Sequence, residues 1–315
     1  MKLFMKRMTV ILSALALVLV VLAAGAWTSG FFQTPPDRIA AALLPVPPKD
    51  VPVLDNSCSA GYVTFTFDDG PDVNSTMLVS ELKAEHVQGV FFVIGGKAAA
   101  NPAIIRAENK NGFVIADHTW DHKSFTGLST GTKPMTDAQM EAELTKTIDI
   151  ITATGLPKPK IWRAPYDDVT THDEALAKSL GLQLVMSYGR PGSGIVDSED
   201  WTGNSPQSIA SYIENGNVSN NTTGKIMQAT PAEIAQATPA NGYAVGSTET
   251  YIPGVRAGSI LSFHDGIPTA VNTIKAIPLI VRYLNAHHLC TTTTVPKNAT
   301  GGDLNANGAV GGAGA

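Results

Sequence analysis

Two aspartates stand side by side at the end of a β-rich run in TFTFDDGPD, residues 64–72. Adjacent like charges repel, and each raises the other's pKa unless something positive holds them ionised. Two readings fit the fragment. Asp, Gly and Pro are ordinary turn formers, which accounts for the composition. A metal ion beside one carboxylate, with the other left to act as a base, accounts for the pairing itself. Further on, His118-Thr119-Trp120-Asp121-His122 sets two imidazoles four residues apart. On a helical turn those positions share a face, so both rings could grip one ion. Alone, the spacing is equally that of two solvated or capping histidines. Joined by a carboxylate, it is a three-ligand set that leaves positions open for water and substrate.

The frame for these residues is a rhythm that begins near Tyr62. YVTFTF, VFFVIG, GFVIAD, KIWRAP, LQLVMS and SILSFHD are short β-branched or aromatic runs, with helical stretches at Met77–Glu85, Asp137–Thr152 and Asp173–Leu180. Strands alternating with helices predict an α/β fold with a parallel sheet or barrel. The polar clusters fall at the ends of the strand-like runs: Asp68-Asp69, His118, Pro165-Tyr166 and His264-Asp265. In α/β barrels the loops at the carboxyl ends of the strands build the active site. Residues 204–257, rich in Asn, Thr, Gly and Ser, break the rhythm and read as a long insertion with one short helix at Pro206–Glu214. Such an insertion could form a lid, shape a groove or contact a partner; a tolerated surface loop is the plain alternative.

Bulk properties narrow the class. The 315 residues are 43% hydrophobic and 16% charged, with 22 basic against 27 acidic side chains and a net charge of −5. That argues against nucleic acid as the main partner, since phosphate binding needs a basic footprint. Lys2, Lys6 and Arg7 precede the charge-free, largely apolar stretch Met8–Ala26, which ends in Ala24-Gly25-Ala26. Residues 1–26 therefore read as an export signal, or as a membrane anchor if uncleaved. A Pro-rich linker follows over 27–57, then a single catalytic domain over 58–292 and a Gly-rich tail over 293–315 expected to be disordered. Cys58 and Cys290 flank the motif-bearing region; in an exported protein they form one disulfide or remain two free thiols.

TFDDGP, HTWDH, RAPY, DSEDW and LSFHDG, in this order from Thr66 to Gly266, resemble the five motifs of the polysaccharide deacetylases of carbohydrate esterase family 4, the NodB-type domain. The resemblance implies a distorted (β/α) barrel of mostly parallel strands. It implies that Asp69, His118 and His122 bind the metal, that Asp68 is the general base and that Arg163 holds Asp68. The backbone N–H of Tyr166 would stabilise the oxyanion and Trp201 would wall the pocket. His264 would protonate the departing amine, oriented by Asp200, for which Asp197 and Glu199 are close rivals. Two positions depart from the family: Asp167 and Asp168 follow Tyr166 where a glycine is usual, and Ser262 replaces the leucine that lines the slot for the acetyl methyl.

The implied activity is that of a metal-dependent hydrolase of linear amide bonds, removing acetyl groups from N-acetylglucosamine residues of a chitin- or peptidoglycan-like polymer. Zinc is the default ion for two histidines and a carboxylate, with cobalt and nickel also accepted. The partner is thus an acetylated polysaccharide, with membrane contact only through an uncleaved amino terminus, and the molecule is expected to be an exported, secreted or envelope-associated monomer. Two alternatives stand beside this reading: an O-acetyl esterase of xylan or a related polymer, and a carbohydrate-binding protein on a degenerate deacetylase fold.

Overall fold

The first strand, β1 (Gly61–Asp68), explains how the motif residues come to share one cavity. Alternate residues of a strand face opposite ways. Val63, Phe65 and Phe67 join the large cluster packed under the helices, while Thr64, Thr66 and Asp68 face the other side and are equally buried. Both faces of the strand are covered, as a central strand of a parallel sheet requires.

The computed structural model describes residues 57–188, 193–223 and 225–295. The expected signal or anchor, nearly all of the linker and most of the tail lie outside the described residues. Among the described residues no helix is long and apolar enough to cross a membrane.

The remaining elements follow in chain order: α1 (Ser75–Ala84), β2 (Gly89–Val93), α2 (Gly95–Ala100), α3 (Pro102–Lys110), β3 (Val114–Asp117), α4 (Asp137–Ala153), β4 (Ile161–Trp162), α5 (Thr171–Ser179), β5 (Gln183–Leu184) and β6 (Ile195–Asp197). The second half holds α6 (Pro206–Asn215), β7 (Asn217–Asn220), β8 (Ile226–Gln228), α7 (Pro231–Gln236), β9 (Ala244–Val245), β10 (Glu249–Ile252), β11 (Ile260–His264), α8 (Ala270–Ala286) and β12 (Leu289–Thr291). The main sheet runs β5-β4-β3-β2-β1-β11-β6, with β12 paired to the start of β1. Every pairing in it is parallel.

The sheet is curled. Val185, just past one edge strand, and Ile195, on the other, share a cluster with Val90, Phe92, Ala116 and Ile260 from the strands between them. Edges that meet across a common interior make a distorted barrel, as the sequence predicts. In register, Asp68 lies beside His264 and Phe92, and Thr66 beside Ser262 and Val90. The outer face carries the helices. A disulfide joins Cys58 to Cys290 at the β1–β12 end.

Three features differ from the sequence expectation. Residues 204–257 hold a four-stranded antiparallel sheet, β8-β7-β10-β9, as well as the expected helix α6. Val218, Val245 and Tyr251 give that sheet its own small core. Helix α8 is continuous through Pro278, a residue that normally interrupts a helix. It persists because Ile274, Ile277, Ile280, Val281 and Leu284 are buried along one face, against the main core. Finally, residues 118–122 form no helical turn; Thr119 and His122 have φ of 63° and 59°.

Candidate active site

Asp68 ends β1 and points into the barrel. Asp69 follows at φ 71°, a left-handed turn that brings the second carboxylate into the same cavity. The turn is packed against β11's exit: a Cβ on Gly266 would sit 1.9 Å from the Asp69 carbonyl oxygen, so only glycine fits. This turn gives the adjacent aspartates different surroundings.

Asp68 Oδ1 accepts a hydrogen bond from Arg163 Nη1 at 2.7 Å. Arg163 is wholly buried and also donates to Thr66 Oγ1 and to the carbonyls of Val185 and Met186. Its guanidinium lies 4.2 Å from the centre of the Phe92 ring. Asp69 Oδ1 instead faces two imidazoles, 3.3 Å from His118 Nε2 and 3.1 Å from His122 Nε2. The three ligand atoms lie within 4.8 Å of one another.

The tautomer of His118 tests whether this trio suits a cation. His118 Nδ1 is 2.8 Å from the Arg163 carbonyl oxygen, which can only accept, so the proton sits on Nδ1. That leaves Nε2 to face Asp69 Oδ1, a buried oxygen that has no hydrogen-bond partner. Acceptors gathered at this distance need a proton or a cation between them, and two imidazoles with a carboxylate are a donor set for a divalent metal.

Charges follow from the same contacts. Burial pushes the Asp69 carboxyl up, but His118 at 3.3 Å, with the charges of His122 and His264, outweighs it and holds Asp69 well below the usual carboxylate range. Burial and the neighbouring His118 charge lower His122 to about 4, against the pull of Asp69 and Asp68. At neutral pH the His122 ring is therefore unprotonated and able to coordinate.

On the opposite wall, Asp200 is fully buried and its Oδ1 lies 2.7 Å from His264 Nδ1. Its Oδ2 accepts from the His264 backbone N–H and from Thr273 Oγ1. Burial opposes the charge on His264, but Asp200, then Asp69 and Asp68, raise its pKa to about 10. Asp197 and Glu199, the rivals for this role, bond to each other instead, Glu199 N–H to Asp197 Oδ1. Tyr166 and Trp201 are 41% and 45% exposed beside these groups, and the Tyr166 ring meets His122 edge-on with centroids 4.8 Å apart. Ser262 lies on the inner face one pleat below His264, and its buried Oγ has no partner.

The two aspartates after Tyr166 fold inward. Tyr166 and Asp167 both have positive φ, 61° and 50°. The Asp167 carboxylate accepts from the backbone N–H groups of Ser187 and Tyr188. Asp168 accepts from Ser124 Oγ, Thr126 Oγ1 and the Ser129 N–H, tying the loop after Tyr166 to the loop after His122.

Two supporting carboxylates carry no motif signal. Asp117 Oδ1 accepts the Thr119 N–H, and burial pushes its carboxyl far up. Glu143, on α4, accepts the N–H groups of Trp120 and Asp121 through one oxygen. Asp117 could be suspected from its place before His118; Glu143 sits twenty residues on, inside an ordinary amphipathic helix.

Comparison with known proteins gives the site its relatives. Residues 55–185 match the polysaccharide deacetylase family. The chain is 31% identical over 166 residues to the bifunctional xylanase/xylan deacetylase of Cellvibrio japonicus, covering 52% of this chain and 23% of that protein. It is 31% identical over 154 residues to chitin deacetylase 1 of Cryptococcus neoformans var. grubii, covering 47% and 31%. The chain thus spans less than a third of the length of either relative. Among solved structures, a family 4 carbohydrate esterase from Streptomyces lividans in complex with acetate superposes with a TM-score of 0.55 at 25% identity, over 76% of this chain and 96% of that one. With the five motifs gathered at one end of a parallel barrel, these matches support a NodB-type domain of carbohydrate esterase family 4 in this chain.

Proposed function

We propose that the protein is a metal-dependent hydrolase that removes acetyl groups from N-acetylglucosamine residues of a chitin- or peptidoglycan-like polysaccharide. The observation that carries this reading is the division of labour between Asp69, set against two imidazole nitrogens, and Asp68, set against Arg163.

Asp69, His118 and His122 would hold the ion, zinc by default. A divalent cation there supplies Lewis acidity toward the acyl carbonyl and the attacking water. Asp68 takes the water's proton; Arg163 keeps it aimed. The Tyr166 N–H donates to the oxyanion as the carbonyl carbon becomes tetrahedral. His264, protonated through its pairing with Asp200, gives its Nε2 proton to the leaving nitrogen. The C–N bond breaks, acetate leaves with the water's oxygen, and the amine departs neutral. Trp201 and Tyr166 offer exposed rings against which a sugar face can pack.

Residues 1–26 would carry the domain out of the cytoplasm, as a cleaved signal or a retained anchor, and the disulfide suits that destination. The test is acetate release by purified protein, stripped with chelator and resupplied with zinc or cobalt, on chitin oligomers, peptidoglycan and acetylxylan. Release restored by metal from an N-acetylated polymer supports the proposal. Release from acetylxylan alone makes the protein an O-acetyl esterase. Metal binding with no release from any polymer leaves the carbohydrate-binding alternative.

A further inference from the structure

The segment from His118 to His122 is irregular, yet each of its five N–H groups is engaged. The His118 N–H bonds to the Val93 carbonyl, the Thr119 N–H to Asp117 Oδ1 and the His122 N–H to Thr119 Oγ1. The remaining two, on Trp120 and Asp121, converge on a single atom, Glu143 Oε2, each at 3.0 Å. From the other side, the N–H groups of Gly95 and Gly96 bond to the carbonyls of Thr119 and Trp120, both at 2.8 Å. A Cβ on Gly95 would lie 2.3 Å from Thr147 Oγ1 and 2.8 Å from the Trp120 ring, so α2, α4 and the loop leave no slack.

We infer that Glu143 is a positioning residue for the metal ligands: it sets the spacing and ring angles of His118 and His122 by clamping the two peptide groups between them. The inference rests on the metal-site reading proposed above. Thr119 and His122 both sit at positive φ, which costs a non-glycine residue free energy unless the surroundings over-determine it. Among the side chains that hold the loop, Glu143 alone reaches it from a different element and takes two of its five donors. A bond to each amide fixes the two peptide planes that flank Trp120, midway between the imidazoles. Outer partners of this kind orient first-sphere ligands, and their loss typically weakens metal binding about 10–100-fold.

The experiment is zinc affinity of the full chain, measured by competition with a chromophoric chelator, with the cobalt-loaded visible spectrum as a report of ligand geometry. Four variants are compared with wild type: Glu143→Ala, Glu143→Gln, Glu143→Asp and His122→Ala. The glutamine retains an acceptor oxygen at the same reach; the aspartate retains the charge but withdraws the oxygen by one methylene. The inference expects Glu143→Ala and Glu143→Asp to weaken zinc binding about tenfold or more and to shift the cobalt spectrum, while Glu143→Gln stays within about threefold. Should the alanine variant not fold, the glutamine–aspartate pair carries the test. Wild-type affinity in Glu143→Asp or Glu143→Ala would overturn the inference, leaving a purely structural role. So would loss in Glu143→Gln with retention in Glu143→Asp, which would make charge the cause. His122→Ala must abolish binding in any case; if wild type binds no zinc, the metal reading falls and this inference with it.

Discussion

Arg163 and Asp68 form an ion pair at 2.7 Å from which solvent is shut out on both sides: the arginine is 0% exposed and the aspartate 2%. Burying a carboxylate without a partner is costly, and Arg163 supplies that partner to the residue proposed as general base. Asp68→Asn should therefore lower acetate release about 10²–10⁴-fold while zinc binding by Asp69, His118 and His122 persists; rates and affinity measured on one preparation check this. Arg163→Met leaves the carboxylate unpaired and should destabilise the fold by about 3–5 kcal/mol in denaturant unfolding.

His264 offers a test by pH. Its folded pKa, about 10, lies above the ordinary imidazole value of 6.5. The stabilisation from its pairing is fully present below pH 6.5 and is lost as the pH rises through 10. Asp200→Asn removes the chief cause of the rise, so the basic limb of the activity profile should move down toward neutrality. An unchanged basic limb in that variant would show that His264 is not the proton donor.

The ligand trio predicts proton release. His118 has its pKa raised; burial opposes this, but the adjacent Asp69 carboxylate and the Asp68 charge outweigh it. An ion must displace that proton, so zinc affinity should fall about tenfold per pH unit below the His118 pKa. Zinc at a hundred times its Kd should stabilise the wild type by about 2.7 kcal/mol and leave His122→Ala unaffected in thermal unfolding.

Asp167 sits where backbone geometry favours glycine, yet its carboxylate caps the Ser187 and Tyr188 amides. Asp167→Gly relieves a positive φ but takes away the acceptor of the part-buried Ser187 and Tyr188 N–H groups, each bond worth about 0.5–1.5 kcal/mol. The second effect is larger, so the glycine variant should be less stable than wild type. Asp167→Asn, which tolerates the same φ and keeps an acceptor, should lie between them in a urea titration.

Ser262 presents an unpartnered hydroxyl on the inner face below His264. If it lines the acyl slot, Ser262→Ala should raise kcat/KM for acetyl substrates a few-fold, the worth of roughly one methylene-sized apolar contact of about 0.8 kcal/mol. Equal rates would place the slot elsewhere.

Much of the catalytic end was legible because its signals are local. TFTF and ILSF read as strands from their own residues, and the polar groups follow them directly in sequence. What escaped was set by distant partners. The shape of 118–122 depends on Glu143, Gly95 and Asp117, so the spacing suggests a helical turn where the chain makes a clamped loop. Helix α8 carries Pro278 in its interior, a local cost overcome by an apolar face burying against the core. The small antiparallel sheet in 204–257 was hidden by short strands whose polar residues look like loop, with a core of only a few side chains.

The placing of β1 has a consequence for how the molecule comes into being. Its neighbours β2, β11 and β12 come from both ends of the domain, and the bridge beside it joins cysteines 232 residues apart. A chain delivered amino end first exposes its central strand early and completes it last. No partial product that lacks β11 holds Asp68 and His264 together, so the candidate site can assemble only after nearly the whole domain has been delivered.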